Sequence, residues 1–414
     1  MFLECDYDGK FLFVDDNLKK RFGYLNEEFI NSNRLFNLLH SDSVIEFIDF
    51  YNLLLKNKSN SVKCNFIFIG PNFKKINCLV LFEKVDNKIK LNFLSIDNFF
   101  LSKKNFISVV KEFLFLTRAK FVIGSLMPFF LAVPWCFLRY NNIPAFLLLL
   151  CFLSLILLHM AANTFNDYFD WKSGRDKKNH DYVLFSTGGS RSIDFNIISE
   201  KKMLHVSYFF IFLIFIISFY FIYLRGFFIL FIGILALVSI YFYSAPPVHL
   251  ASRYGLGELM HIICLGPLII YGTVYTVVGL NDYLDFLIGI PHGLLITSCL
   301  LINEVPDSKS DMLSGKKNLA VVLGFKYIPL VYSSLLFCSF FFILLMCVLF
   351  KISYFFLLSF ILLPYVFFTC KYVYKISFYD RISLQLSCIK SLNIYIYYSI
   401  LVVISCILVI FFNP

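Results

Sequence analysis

The chain has 414 residues, of which 59% are hydrophobic, only 15% are charged and 53 are phenylalanine. Soluble globular domains carry about 25% charged residues, so this composition excludes an ordinary soluble enzyme and indicates an integral membrane protein. The net charge of +10 lies largely in loops between apolar runs. It therefore favours attraction to anionic lipid head groups and requires no nucleic acid as a partner. The 12 cysteines have no paired spacing, which argues against disulfides and zinc.

The first 97 residues mix charged and apolar residues and predict a small α+β domain. Alternating patterns predict strands at 11–14, 62–69, 75–82 and 89–96, with helices at 16–22, 26–31 and 43–55. The order is an opening strand or strand pair, small helices, a longer helix and three strands. Together with the stretch from Asp8-Gly9 through Phe22-Gly23-Tyr24, this order resembles a PAS domain.

The resemblance to a PAS domain implies an interaction or regulatory module that contacts a protein partner, with small-ligand sensing as the alternative. His40 is the only histidine in this part, and we expect a surface loop residue rather than a haem ligand. Residues 98–118 contain Lys103, Lys104, Lys111 and Arg118. They predict a basic amphipathic connector that lies against the membrane surface.

Long apolar runs follow from about Arg118 and continue to the end of the chain. Each has about 20 residues, the length at which a helix crosses the hydrocarbon core, and none alternates as a strand would. The sequence therefore predicts an all-α polytopic membrane domain at 119–414. Its nine predicted spans are 120–139, 144–166, 204–224, 226–245, 257–279, 284–303, 327–350, 353–373 and 392–412.

The basic residues of the loops predict the orientation of these spans. Nearly all of them follow spans two, four, six and eight, whereas the alternate loops hold little beyond Arg139, Arg225 and Lys351. By the positive-inside rule, the N-terminus and the loops after the even spans are cytoplasmic, and the C-terminus is outside. We expect a multi-pass protein of the inner (cytoplasmic) membrane.

Two acidic motifs stand at the inner ends of spans two and six. The first runs from Asn163 through Asn166, Asp167 and Asp170 to Asp176, and the second contains Asn303, Asp307 and Asp311. On a continuing helix, Asn163, Asp167 and Asp170 share one face, and the second motif repeats the spacing, with Pro306 expected to break its helix.

Oxygen-rich faces of this kind suit Mg²⁺, which takes one or two carboxylates together with substrate phosphates. The basic residues that follow each motif suit a diphosphate. The alternative is that the motifs are solvated helix ends capped by Asp and Asn, but two copies with like spacing argue against it. The sequence therefore predicts a Mg²⁺–diphosphate site at the inner face.

Four separated motifs together resemble the UbiA superfamily of intramembrane prenyltransferases. They are the two acidic motifs, Gly315-Lys316-Lys317 through Gly324, and Tyr243-Ser-Ala-Pro-Pro247 with Gly255-Leu-Gly-Glu258. Asn303-Glu-Val-Pro-Asp307 and Tyr243-Ser-Ala-Pro-Pro247 are most similar to the 1,4-dihydroxy-2-naphthoate polyprenyltransferase branch. Arg118-Ala-Lys120 resembles the Arg-Pro-Lys of that branch, with Ala119 in place of proline. The likeness covers about 115–412.

The resemblance implies a nine-span, lipid-open helical enzyme that binds a prenyl diphosphate through Mg²⁺. Its implied metal-binding and catalytic residues are Asp167, Asp170, Asp307 and Asp311, with Asp176 less firmly placed. Its implied substrate-binding residues are Asn163, Asn166, Arg118, Lys120, Lys172, Arg191, Tyr243, Asn303 and Lys316, with Arg175 and Lys317 as further candidate diphosphate contacts. Arg191 follows the Gly-rich stretch Ser186-Thr-Gly-Gly-Ser, whose backbone N–H groups can face an anion.

The expected function is Mg²⁺-dependent transfer of a polyprenyl group to an aromatic quinone precursor. The acceptor 1,4-dihydroxy-2-naphthoate, in menaquinone-type biosynthesis, is favoured, and a 4-hydroxybenzoate-type or other aromatic acceptor is the alternative. A PAS-containing membrane sensor without catalysis is the second alternative. A transporter is disfavoured, because its ionisable residues would lie near the middle of the membrane.

Overall fold

The computed structural model describes most of the chain, namely residues 1–7, 9–22, 25, 27–39, 43–44, 46–47, 50–51, 61–69, 75–85, 88–98, 106–141, 143–178, 189–376 and 381–412. These residues form two compact units. The N-terminal unit contains Met1–Thr117 and Ser190–Met203, and the membrane unit contains Arg118–Gly189 and Leu204–Pro414. Of the predicted features, Asp8, Gly23, Tyr24, His40 and the stretch 186–188 lie outside the described residues.

The N-terminal unit contains an antiparallel sheet of five strands in the order β2-β1-β5-β4-β3. The strands are β1 (Phe2–Cys5), β2 (Phe11–Val14), β3 (Ser61–Ile69), β4 (Lys75–Val85) and β5 (Lys88–Asn98). The helices are α1 (Asp16–Phe22), α2 (Glu27–Ser32) and α3 (Phe106–Leu116), and the described part of 43–51 is also helical. The predicted small α+β fold is therefore confirmed. Strand β1 lies between β2 and β5, and the alternating pattern of the sequence did not predict its bounds.

One face of this sheet forms the core of the N-terminal unit. Cys78, Val80 and Phe82 alternate with more exposed residues along β4, as the two-residue period of a strand requires. Phe22 at the end of α1 packs edge-on against Phe68 of β3, with ring centroids 6.3 Å apart. Phe22, Phe68 and Phe82 are therefore core residues of this unit.

Nine helical segments of the described residues are long and apolar enough to cross a membrane, which confirms the predicted spans. We number them 1 to 9. They are Ala119–Tyr140, Ala145–Lys172, Glu200–Arg225, Phe227–Ser244, Leu256–Val278, Tyr283–Glu304, Leu319–Leu349, Tyr354–Lys375 and Ser383–Phe412. Two short helices, α4 (Arg175–Lys178) and α5 (Ser308–Leu313), follow spans 2 and 6.

Span 6 lies at the centre of the bundle, where it contacts spans 5, 7 and 9. Its most apolar stretch of 18 residues is 72% buried, the highest share among the nine spans. Close approach to span 5 depends on glycine, because a Cβ added at Gly293 would lie 2.0 Å from the carbonyl oxygen of Ile262. A Cβ added at Gly266 or at Gly289 would likewise lie too close to backbone atoms of the other span. Small residues let membrane helices pack backbone to backbone.

The end of the bundle opposite the acidic motifs is held by one buried carboxylate. Asp285 is fully buried and accepts hydrogen bonds from Trp135 Nε1 at 2.8 Å and the Tyr140 hydroxyl at 2.6 Å. Arg139 pairs with Asp282 at 2.9 Å, and this hydrogen bond lowers the pKa of Asp282. These contacts join span 1 to the start of span 6. Arg139, Asp282 and Asp285 therefore stabilise the fold at this end of the bundle.

The glycine crossing predicts a large stability difference between two Gly→Ala substitutions. Gly293→Ala places a methyl group against backbone that cannot rotate away, so we expect a loss of about 1–3 kcal/mol or more. Gly233→Ala in span 4 is the matched control, because no atom lies within 4 Å of its added Cβ. Thermal unfolding of the detergent-solubilised variants measures the difference. Equal melting temperatures would contradict the backbone contact between spans 5 and 6.

Candidate active site

The first acidic motif lies on one continuous helix, because span 2 extends to Lys172. Asp167 is only 3% exposed and forms an ion pair with Arg118, which precedes span 1. The same guanidinium donates to Asn166 Oδ1 at 3.2 Å, and Asn166 Nδ2 donates to Ser244 Oγ at 3.0 Å. Three predicted site residues therefore meet here, and Asn163 lies one turn deeper on the same stripe.

Gly189 lies directly against the Arg118–Asp167 pair. A Cβ at this position would be 2.7 Å from Arg118 Nη2 and 2.9 Å from Asp167 Oδ1. Its φ of +81° is a further reason for glycine, since side chains rarely adopt this conformation. The backbone after the Gly-rich stretch thus approaches the pair as closely as atoms allow.

The second carboxylate of the first motif has its own basic partner. Arg175 Nη1 lies 2.6 Å from Asp170 Oδ1, and Arg175 Nη2 lies 2.7 Å from His249 Nε2. Burial and the neighbouring guanidinium of Arg175 lower the pKa of His249 to about 4. The neutral imidazole and the carboxylate together fix the guanidinium between the loops after spans 2 and 4.

The second acidic motif differs from the first because its helix is interrupted. Span 6 ends at Glu304 and α5 starts at Ser308, so Asn303, Asp307 and Asp311 do not share one continuous helix. Pro306 breaks the helix as expected, but the predicted repeat of the first motif's geometry does not hold, since Pro has no N–H to continue the helical bonding. The break lets Asp311 face Lys316, with Nζ 2.8 Å from Oδ2, and Asn318, with Nδ2 3.1 Å from Oδ2.

The two motifs belong to one charged cluster at the same end of the bundle. Burial disfavours the charge on Lys316, but the attraction of Asp311, Glu304 and Asp170 outweighs it and raises the pKa of Lys316. Asp170 belongs to span 2, whereas Glu304 is the last residue of span 6 and Asp311 lies in α5, which follows it. Helix α4 also contacts α5. The sequence motifs that are four spans apart therefore converge.

The other predicted site residues vary in their surroundings. Lys120 is exposed beside the ring of Phe121, and Lys172 is exposed and donates to the Tyr168 hydroxyl at 3.1 Å. Asn303, Asp307 and Tyr243 are half-buried at the inner ends of spans 6 and 4. Arg191 is 3% exposed in the N-terminal unit, with Nη1 3.9 Å from Asp194 Oδ2. The roles given to these residues stay predictions.

Several polar residues near the motifs escaped the sequence analysis. His249 and Asn318 position Arg175 and Asp311, and His159 lies 2.6 Å from Ser125 Oγ through Nδ1. His159 precedes Asn163 by four residues, so the helical period could have placed it on the motif's stripe. Nothing in the sequence signals His249, because its contact with Arg175 depends on how the loops after spans 2 and 4 fold together.

Mg²⁺ is usually bound by one or two carboxylates together with substrate phosphates and waters. Among the described residues, no three His, Cys, Asp or Glu side chains are close enough to hold an ion by themselves. Asp167, Asp170, Asp307 and Asp311 are the carboxylates that the two motifs bring to this end of the bundle.

Known proteins share sequence and fold with this chain. The sequence profile of the UbiA prenyltransferase family matches residues 125–386, and the chain belongs to this family. Over 211 residues it is 25% identical to 1,4-dihydroxy-2-naphthoate octaprenyltransferase of Bacillus subtilis (strain 168), covering 51% of this chain and 65% of that protein. It is 32% identical over 183 residues to the protein of the same name from Haemophilus influenzae (strain ATCC 51907 / DSM 11121 / KW20 / Rd), covering 43% and 57%.

The matched regions span less than two thirds of these relatives' own lengths. Among solved structures, a UbiA homologue from Aeropyrum pernix K1 shares the fold with a TM-score of 0.51 and 15% identity. The match covers 70% of this chain and 98% of that one. The predicted UbiA-like fold is confirmed, and the naphthoate branch stays a prediction.

The contact between His249 and Arg175 predicts a pH dependence of stability. An unfolded histidine titrates near 6.5, whereas His249 titrates near 4 when folded. Between these values the unfolded chain binds the additional proton, so stability falls as the pH falls from 6.5 to 4. His249→Asn keeps a residue suited to the positive φ of 49° but does not titrate. Its melting temperature should therefore drop less over this range, by about 2 °C or more. Identical pH profiles for the two proteins would contradict the lowered pKa.

Proposed function

We propose that this protein catalyses the Mg²⁺-dependent transfer of a polyprenyl group from a prenyl diphosphate to an aromatic quinone precursor. Three acid–base pairs at the inner ends of spans 2 and 6 carry the proposal, namely Arg118–Asp167, Arg175–Asp170 and Lys316–Asp311. Each joins one motif carboxylate to a basic side chain. Membership of the UbiA prenyltransferase family supports the same reaction class.

The pairs suit a ligand that carries charges of both signs. A Mg²⁺–diphosphate complex offers a cation to the carboxylates and an anion to the guanidinium and ammonium groups. Binding therefore exchanges partners without leaving any charge uncompensated, which matters because an unpaired buried charge is strongly destabilising. Before binding, the pairs keep the side chains oriented, so little ordering remains when the substrate arrives.

In the proposed reaction, the bond between the allylic carbon and the diphosphate oxygen breaks, and a carbon–carbon bond to the acceptor ring forms. Arg118, Arg175 and Lys316 stabilise the charge that develops on the departing diphosphate. Mg²⁺, when bound at the motif carboxylates, supplies further neutralisation of that charge. The acceptor ring loses the proton of the carbon that bonds the prenyl group. For the naphthoate, the carboxylate also leaves as carbon dioxide, and the electron pair of the broken carbon–carbon bond stays on the ring carbon, which takes up a proton.

For the acceptor, we propose 1,4-dihydroxy-2-naphthoate, in menaquinone-type biosynthesis. The support is the stretch Asn303–Asp307 together with the two relatives that are named for this substrate. A 4-hydroxybenzoate-type acceptor is the second candidate, because the same diphosphate site serves either ring. The proposed membrane orientation places this site on the cytoplasmic side, where the loop lysines and arginines concentrate.

For the N-terminal unit, we propose a PAS-like regulatory or docking role. The support is the order of its elements, in which a strand pair and short helices precede three further strands. A protein partner or a small ligand of this unit would provide the signal.

Loss of the motif carboxylates should abolish transfer. We expect Asp167→Asn together with Asp307→Asn to lower the rate of Mg²⁺-dependent transfer at least about 100-fold, because the carboxylates that hold the ion are removed. Asp282→Asn is the matched control, since Asp282 is also paired with an arginine but lies at the opposite end of the bundle. Product formation in membranes from a labelled prenyl diphosphate measures the rates.

Two results would contradict the proposal in different ways. Full transfer by the double variant would show that the motif carboxylates hold no metal. A wild-type protein that neither binds nor transfers the labelled prenyl group would favour a sensor without catalysis.

A further inference from the structure

Two buried carboxyl groups outside the three acid–base pairs are incompletely satisfied. Glu258, in the first turn of span 5, is 4% exposed, and Glu304, the last residue of span 6, is 8% exposed. Glu258 Oε1 accepts from the backbone N–H of Leu319 at 2.7 Å. The remaining oxygens, Glu258 Oε2 and Glu304 Oε2, are buried and have no hydrogen-bond partner among the described residues.

The two carboxyl groups lie close to each other and to the diphosphate site. Their side chains are near enough to interact with each other, and Glu304 also interacts electrostatically with Lys316. Tyr243 lies near enough to interact with both of them. Lys316 also pairs with Asp311, so Glu304 and the second motif share a basic neighbour.

We propose that Glu258 and Glu304 bind the aromatic acceptor by accepting hydrogen bonds from its ring hydroxyl groups. This inference rests on the proposed prenyl transfer. Buried acceptor oxygens without partners are costly, and a ligand that supplies two hydroxyl donors satisfies both. A site built to bind hydroxyl groups also rejects analogues that lack them. The pair therefore selects a dihydroxylated ring and holds it beside the diphosphate.

The test measures binding rather than turnover, using 1,4-dihydroxy-2-naphthoate and 2-naphthoate, which lacks both hydroxyl groups. Equilibrium dialysis against the detergent-solubilised full chain should show wild type binding the dihydroxy compound at least about tenfold more tightly. In Glu304→Gln this preference should shrink several-fold, which is more than any change in its affinity for a labelled prenyl diphosphate. Glu304→Asp should restore part of it. Asp282→Asn is the control and should keep the full preference.

The outcomes separate this inference from the proposed function. An unchanged preference in Glu304→Gln, with wild-type transfer intact, overturns the acceptor site alone. A wild type that binds prenyl diphosphate but neither naphthoate overturns both the naphthoate assignment and this site. A melting temperature of Glu304→Gln close to wild type, together with a lost preference, supports binding over a structural role.

A second observation concerns the positions at which the chain passes from the N-terminal unit to the membrane unit. One such link is Thr117–Arg118, and another is Gly189–Ser190. Arg118 and Gly189 are therefore each the residue of the membrane unit next to a link, and both lie against Asp167. Two residues that lie against the most buried motif carboxylate are thus the covalent neighbours of the N-terminal unit.

The segment that begins at Ser190 is firmly part of the N-terminal unit. Phe195 is 2% exposed, and its ring centroid lies 6.1 Å from that of Phe36. Arg191, Ser192 and Met203 are also buried. Only five residues separate Phe195 from Gly189, so a short stretch of chain connects this core to the residue that lies against Asp167.

We infer that the N-terminal unit controls diphosphate binding by holding Arg118 and Gly189 in place at Asp167. Phe195→Ala in the full chain removes the anchor of the second link, so we expect affinity for a labelled prenyl diphosphate with Mg²⁺ to fall about tenfold, without a change in affinity for the acceptor. Phe13→Ala is the matched control, since Phe13 is 49% exposed in the same unit.

Limited proteolysis of Phe195→Ala shows whether its N-terminal unit stays folded. The expected loss of diphosphate affinity is the same whether the unit stays folded or unfolds, because Phe195 no longer anchors the second link in either case. Unchanged diphosphate affinity in Phe195→Ala would overturn the coupling. Weaker diphosphate binding in Phe13→Ala as well would also overturn it, because the effect would not depend on the anchor. Failure of the wild type to bind the diphosphate would instead contradict the proposed function.

Discussion

A carboxylate that is withdrawn from water at the edge of the hydrocarbon region must be paired, and the inner ends of spans 2 and 6 are arranged around this requirement. Asp167, Asp170 and Asp311 each have a basic partner, and each partner comes from a different loop. The first pair joins the chain before span 1 to span 2, whereas the other two pairs connect each motif to the residues that follow it. The same charges that stabilise this end of the bundle form the proposed substrate site.

Close packing elsewhere in the bundle fixes the positions of these helix ends. Span 6 meets span 5 through glycines such as Gly293, so its inner end has little freedom to move away from the first motif. At the opposite end, Asp285 fixes span 6 to span 1 by hydrogen bonds to Trp135 and Tyr140. Span 6 therefore carries the start of the second motif at the centre of the bundle, and the break at Pro306 lets the chain turn towards Lys316.

Sequence reasoning located the elements of this protein better than their contacts. Runs of about 20 apolar residues specify spans directly, because the bilayer sets one length. The stripe of Asn163, Asp167 and Asp170 also followed from helical periodicity. By contrast, the partners Arg175–His249 and Glu258–Glu304 depend on which loops and helix ends meet, and residue spacing holds no information on that. The placement of Ser190–Met203 in the N-terminal unit could not be predicted for the same reason.

The most direct measurement of the central claim is prenyl transfer in purified membranes, with and without Mg²⁺. A labelled prenyl diphosphate would be supplied with either 1,4-dihydroxy-2-naphthoate or 4-hydroxybenzoate. The account predicts a prenylated product that requires Mg²⁺, formed with the naphthoate in preference to the benzoate. A product formed equally well in EDTA, or diphosphate binding that is unaffected by removal of Mg²⁺, would contradict the claim that the two acidic motifs form one metal-dependent diphosphate site.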